Sequence, residues 1–151
     1  MITTLKQLES DVALQIFNVF QRSYKVEAQL IDTHDFPPLA RSAEDISHAQ
    51  ATFLGYFESD VLAGVIEVTL KKNILSIDSL TVDPAFFRRG IANKLMRYVL
   101  THTKYTRAIV ETAAVNLPAI KLYKRLGFTE YKQWTPSHGI EKIALSVKST
   151  G

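Results

Sequence analysis

Leu80-Thr81-Val82-Asp83-Pro84-Ala85-Phe86-Phe87-Arg88-Arg89-Gly90-Ile91-Ala92 is the stretch on which the reading of this chain turns. An apolar strand pattern over Ile74–Val82 stops at Asp83-Pro84, a loop turns, and a helical pattern begins at a glycine followed by a small residue. The first turn of a helix leaves backbone N–H groups without acceptors and carries partial positive charge. A phosphate at that place satisfies both. Gly90 and Ala92 lack bulk, so an anion can approach the main chain, and Arg88 and Arg89 add positive charge there. Taken alone, the loop reads equally as an ordinary basic turn before a helix. It is not a Walker loop, because Gly-Lys-Ser/Thr is missing, nor the dinucleotide fingerprint, because a single glycine stands where several are needed.

Upstream of the loop, Thr52–Glu58, Val61–Leu70 and Ile74–Val82 read as strands of an antiparallel meander, joined at Ser59-Asp60 and through Lys71-Lys72-Asn73. Ile2–Leu5 is a short strand. Ser10 or Asp11 is expected to cap a helix carrying Val12, Leu14, Ile16, Phe17 and Phe20. Tyr24 to Leu39 is less regular and ends in the breaker Phe36-Pro37-Pro38, and Ser42 caps a further short helix. Downstream, Gly90–Thr101 is a helix turning Ile91, Leu95, Val99 and Leu100 inward and Lys94 and Arg97 outward. Ala108–Ala113 is a short buried strand, and Leu117–Leu126 a helix ended by Gly127. Phe128–Trp134 and Ile140–Val147 form a hairpin across Pro136–Gly139. Strand, helix, strand in sequence requires parallel pairing near residues 80 and 110 with a right-handed crossover. The expected fold is one α/β domain over 1–151, a mixed, mostly antiparallel sheet with one parallel pair and helices on both faces.

Composition narrows the chemistry. With 46% hydrophobic residues the chain builds a full core without staples, and the absence of cysteine removes disulfides, zinc-thiolate sites and thiol nucleophiles. No opening stretch has the form of a secretory leader and no apolar run is long enough to span a membrane, so a cytoplasmic protein is expected. Residues 1–75 hold 6 Lys and Arg against 10 Asp and Glu, whereas residues 76–151 hold 12 against 5. A basic second half suits a phosphorylated small molecule and an acidic first half a cationic one, though ordinary solvated charge reads the same. Nucleic acid is not expected, because the basic half lacks interleaved exposed aromatics. The histidines at 34, 48, 102 and 138 have no partners at ligand spacing, so no metal is expected. A homodimer stays open.

The loop resembles motif A of the GNAT superfamily of N-acetyltransferases, Gln/Arg-x-x-Gly-x-Gly/Ala, matched here by Phe87-Arg88-Arg89-Gly90-Ile91-Ala92. Phe87 departs from the usual Gln or Arg. A second stretch, Asn116-Leu117-Pro118-Ala119-Ile120-Lys121-Leu122-Tyr123-Lys124-Arg125-Leu126-Gly127-Phe128, is similar to the family's Asn-x-x-Ala-x-x-x-Tyr…Gly-Phe segment. The resemblance implies that the parallel strands splay at a bulge and that acetyl-CoA, as acyl donor, lies in the V. It implies that the backbone of Leu80, Thr81 and Val82 pairs with the pantetheine. Main-chain N–H groups of Arg88, Arg89, Gly90, Ile91, Ala92 and Asn93 would hold the pyrophosphate, and Asn116 would contact the cofactor from the far strand.

Acyl transfer from a thioester to an amine needs two proton events. The amine must be unprotonated, although an α-amino group has a pKa of about 8 and a lysine of about 10.4. The departing thiolate must gain a proton. Tyr123, a phenol on the second motif, is the candidate acid; packing in a core is its plain alternative. Glu111, in the apolar run Ile109-Val110-Glu111-Thr112, is the candidate base, since a carboxylate buried there needs a reason. The resemblance to ribosomal-protein N-terminal acetyltransferases, which carry a Glu at the matching place, supports it. Asp78 and Glu67 are rivals, as is a water chain with no single base. The acceptor pocket is expected from Tyr24–Arg41 and Gln133–Ile140, and Glu27, Asp32 and Asp35 suit a cationic amine. The sequence leaves the amine unidentified, and a non-catalytic acyl-CoA-binding module is the alternative.

Overall fold

The structure, a computed structural model, describes residues 1–32 and 36–150. His34 and Asp35, named above, lie outside the described residues. The elements are β1 (Ile2–Thr4), α1 (Ser10–Leu30), α2 (Ala43–Ser47), β2 (Thr52–Glu58), β3 (Val61–Lys71), β4 (Ile74–Val82), α3 (Ile91–His102), β5 (Arg107–Ala113), α4 (Leu117–Arg125), β6 (Thr129–Trp134) and β7 (Lys142–Lys148). Short 3-10 turns cover Pro37–Ala40 and Pro84–Phe86.

Seven strands form one sheet in the order β1-β2-β3-β4-β5-β7-β6. Every neighbouring pair is antiparallel except β4–β5, which is parallel, as the strand–helix–strand order requires. The meander turns work through left-handed residues: Ser59 (φ 53°) between β2 and β3, Lys72 (φ 51°) and Asn73 (φ 65°) between β3 and β4. One face of the sheet packs Ala63, Ile66, Leu75, Ala108, Val110 and Leu145 against Ile91, Leu95, Met96 and Val99 of α3 and Ile120 and Tyr123 of α4. The other packs Phe53, Leu62 and Val65 against Ala13, Ile16, Val19, Phe20 and Tyr24 of α1 and Ile46 of α2.

The first helix differs from the sequence reading. It runs for 21 residues to Leu30, where the sequence reading left the chain after Tyr24 irregular. No glycine or proline interrupts residues 10–30, and Tyr24 and Ala28 continue the buried row Ala13, Ile16, Phe20 at helical spacing. Its N-cap is Glu9, without a side-chain cap, so neither Ser10 nor Asp11 has that role. The Ser42 cap is present as a full capping box. Ser42 Oγ accepts from the Asp45 N–H at 3.0 Å, and the Asp45 carboxylate accepts from the Ser42 N–H at 2.9 Å.

Two irregularities in the sheet create the site. Glu67 of β3 faces Ser79 of β4 while its neighbour Val68 faces Ile77, so Asp78 is an extra residue, a β-bulge. At the same level the parallel ladder ends: the last β4–β5 partners are Ile77 and Val110. Beyond them β4 stays with β3 as far as Val82 opposite Gly64, and β5 stays with β7 as far as Ala113 opposite Lys142. The two strands therefore part into a V. Gly64 fixes the height of α3 over this region, because a Cβ there would lie 2.7 Å from Ile91 Cγ2 and 3.3 Å from the Thr81 carbonyl oxygen.

Candidate active site

On the β4 arm of the V, side chains alternate away from the cleft and leave the main chain to face it. Leu80 and Val82 pack toward the α3 core, and Thr81 is buried, its hydroxyl donating to the Val65 carbonyl at 3.4 Å. Past Ile77 no strand pairs with the β5-facing edge of β4. Asp83 anchors the end of this arm. Its carboxylate receives the Arg22 Nε–H at 2.7 Å and the Ala85 N–H at 3.0 Å, and its own N–H donates to the Ala63 carbonyl.

The loop then climbs into α3 through two left-handed residues, Arg88 (φ 65°) and Gly90 (φ 71°). Gly90 is the N-cap, with no side-chain cap, and the first intrahelical bond is Lys94 N–H to the Gly90 carbonyl. The N–H groups of Gly90, Ile91, Ala92 and Asn93 thus stand at the helix start without intrahelical acceptors. A Cβ at Gly90 would meet nothing within 4 Å, so the space beside these donors is open. This geometry fits a pyrophosphate. The arginines divide: Arg89 is drawn back to Glu58 at 2.8 Å and over the Phe86 ring at 5.3 Å, whereas Arg88 is exposed. Ile91 is core, and Asn93 Oδ1 accepts from Arg97 Nε at 3.3 Å. Phe87, in place of the usual polar residue, is exposed.

At the fork of the V lies a cavity of about 470 Å³. Tyr24 and Glu27 of α1, Pro37, Pro38 and Arg41 of the following segment, and His138 and Ile140 of the β6–β7 connection line its acceptor side. Asp78, Ser79 and Leu80 line it from β4, Glu111 and Thr112 from β5, and Asn116 and Tyr123 from the α4 side. Tyr123 is buried, its ring 6.0 Å from that of Phe128. Burial first, then the charges of Glu27 and Tyr24, push its phenol well above the ordinary tyrosine value, so it stays protonated. It is both a core residue and a cavity residue.

The family model described as "Acetyltransferase (GNAT) family" matches residues 13–128. The chain belongs to the GNAT acetyltransferase family. A relative by sequence is the UPF0157 protein YqkA of Bacillus subtilis, 32% identical over 141 residues, which cover 93% of this chain. The match spans 41% of that protein's length. Two solved structures share the GNAT fold. The ribosomal-protein-S18-alanine N-acetyltransferase of Escherichia coli has a TM-score of 0.78 at 18% identity, over 100% of this chain and 94% of that one. The PaiA N-acetyltransferase of Thermoplasma acidophilum, solved with coenzyme A, has a TM-score of 0.76 at 17% identity, over 98% and 99%.

Within this GNAT domain the carboxylates differ from the sequence expectation. Glu111 is not buried: its side chain is 49% exposed and lies 3.4 Å from Lys142 Nζ, so its place in an apolar strand needs no catalytic explanation. Along β5 the buried side chains are Ala108, Val110 and Thr112, while Ile109 on the same side as Glu111 is only half-buried. Glu67 is buried but engaged, bidentate to Arg41 at 2.7 and 2.9 Å and accepting from Ser79 Oγ at 2.9 Å. Asp78 lines the cavity from the bulge. Burial raises its pKa, a Thr69 hydrogen bond opposes this, and the Glu67 charge adds to it. Asp32 is exposed at the end of α1 and does not line the cavity.

Asn116 is buried. It caps α4 through its Oδ1, which accepts from the Ala119 N–H at 3.4 Å, and it lines the cavity together with Glu27. Sequence reasoning gave Glu27 a role only in attracting a cation, and held His138 within the expected pocket segment Gln133–Ile140 without giving it a role of its own. The signal for Glu27 was its place three residues after Tyr24 and one before Ala28, on the edge of the buried face of α1. Among the described residues no group of three or more His, Cys, Asp or Glu is placed to hold a metal, and no helix is long and apolar enough to cross a membrane.

Proposed function

We propose that this chain transfers an acyl group from acetyl-CoA to a primary amine by direct attack within a ternary complex. The observation that carries this reading is the parting of β4 and β5 after Ile77 and Val110, with Tyr123 at the fork. The free edge at Leu80, Thr81 and Val82 supplies main-chain partners for the amide groups of a pantetheine. The N–H groups from Arg88 to Asn93 bind the pyrophosphate, and Asn116 borders the acyl end. A thioester delivered to the fork lies beside the Tyr123 phenol, which donates a proton to the sulfur as the C–S bond breaks. A carboxylate lining the cleft takes the proton from the amine directly or through water. Arg41 is held by Glu67 and Lys142 by Glu111, so the cavity favours an ammonium over an anion as acceptor.

The relative solved with coenzyme A supports the donor. The test is an amine panel incubated with acetyl-CoA and monitored by thiol release. Release that depends on the amine supports transfer. Stoichiometric acetyl-CoA binding without release across the panel supports the binding-module alternative instead.

A further inference from the structure

Glu27 stands at the point where the acceptor side of the cavity meets α4. It lines the cavity with Tyr123 and Asn116. Asn116 caps α4, its Oδ1 accepting from the Ala119 N–H. Asn116 and Tyr123 are seven residues apart, two helical turns, which brings them to one side of α4. Glu27 thus shares the cavity wall with the helix that presents the phenol. Among ionisable groups, the charge of Glu27 is the one Tyr123 feels most.

We infer that Glu27 is the general base that takes the proton from the acceptor ammonium, an assignment that rests on the acyl-transfer reading above. The ammonium loses one proton to the Glu27 carboxylate, which passes it to solvent, and the nitrogen lone pair is freed. The nitrogen bonds to the thioester carbonyl carbon and the C–S bond breaks, with the Tyr123 proton going to sulfur. The second proton leaves the nitrogen as the amide forms and restores Tyr123. Glu67 is held by Arg41, Glu111 sits half in solvent beside Lys142, and Asp78 is exposed at the bulge. Glu27 is the remaining cavity carboxylate among the described residues.

Burial raises the proton affinity of Glu27, while the Asn116 hydrogen bond and the Lys142 charge restrain it. A base works best when its pKa lies near the operating pH. The other titratable and charged groups on the cavity wall are Tyr24 on its own helix, Arg41, Asp78 of β4, Glu111 of β5, Tyr123 of α4, His138, and Lys142 of β7. Of these, His138 comes from the β6–β7 connection. Its Nδ1 accepts the Ile140 N–H at 3.2 Å.

The test measures kcat/KM against pH for acetyl-CoA with a diamine, a lysyl peptide and an alanyl peptide. The variants are Glu27→Gln, Glu27→Asp, Glu111→Gln and His138→Asn. Glu27→Gln should lower kcat about 10²–10⁴-fold and abolish the acidic limb, with the stabilisation by CoA unchanged. Glu27→Asp should recover part of the rate and keep a limb. An acidic limb and rate retained in Glu27→Gln overturn the assignment alone, as does loss of the limb in Glu111→Gln or His138→Asn instead. No thiol release by the unsubstituted chain with any of the amines overturns the acyl-transfer reading, and the Glu27 assignment falls with it.

Discussion

Gly90→Glu separates the anion site from the rest of the fold. Gly90 sits at φ 71° with open space where its Cβ would be, so a side chain costs backbone strain and no clash. Left-handed backbone costs a non-glycine residue about 1–2 kcal/mol. The new carboxylate lies at the start of α3, where it complements the helix dipole and offsets about 0.3–1 kcal/mol of that. The free variant should therefore lose about 1 kcal/mol, or roughly 2–4 °C in a chain of this size. CoA at about 100 times its dissociation constant adds about 2.7 kcal/mol to the unsubstituted chain, roughly 5–11 °C on the same scale. In Gly90→Glu that increment should nearly vanish, because the carboxylate occupies the four free N–H groups and repels a pyrophosphate. Gly90→Ala shares the strain without the charge, so the difference between the two responses isolates the electrostatic part. Thermal melts with and without CoA read all of this. A folded Gly90→Glu with the full CoA increment refutes the placement of the anion at α3.

Tyr123→Phe removes a hydroxyl and keeps a buried ring. Thiol release should slow by about 10²–10⁴-fold with little change in CoA affinity, and less so for a thioester with a less basic leaving thiolate; an unchanged chemical step returns Tyr123 to a packing role. Glu67→Ala strands the Arg41 guanidinium, whose side chain is only 28% exposed, and should cost about 3 kcal/mol by urea denaturation; a loss well under 1 kcal/mol, the range of exposed pairs, would mean that solvent already satisfies Arg41. Gly64→Ala drives a methyl into Ile91 Cγ2, a stiff β-branched contact, and should cost about 1–3 kcal/mol while weakening CoA stabilisation through displacement of α3; an unaffected melt would show that α3 lifts freely.

Much of the fold was legible because local rules and tertiary structure agree. Strand alternation placed β2 and β4 at their observed bounds, and Gly127, at φ 95°, ends α4 as its position past the last apolar turn required. The middle of α1 was not legible, because Gln21, Arg22 and Ser23 interrupt the apolar row that Tyr24 and Ala28 resume. The position of β7 between β5 and β6 was not legible either, since a hairpin read from sequence does not say which of its strands joins the sheet.

The site was legible in proportion to how far main chain determines it. The α3 start and the free edge of β4 depend on where a strand ends and a glycine stands, and both are printed in the sequence. The proton-handling groups depend instead on desolvation and on neighbours distant in the chain. Glu111 looked distinctive among apolar neighbours, yet pairing with β7 brings Lys142 beside it and its side chain stays half in solvent. Glu27 was read with Asp32 and Asp35 as acidic residues suiting a cationic amine, yet packing of α1 over the fork of the V sets it apart, half-buried on the cavity wall beside Asn116. A carboxylate becomes a useful base through partial burial beside the reacting atoms, and no property of its own strand or helix supplies that. The bulge at Asp78 and the end of the β4–β5 ladder at Ile77 open the cleft, and the same opening decides which carboxylates stay wet and which do not.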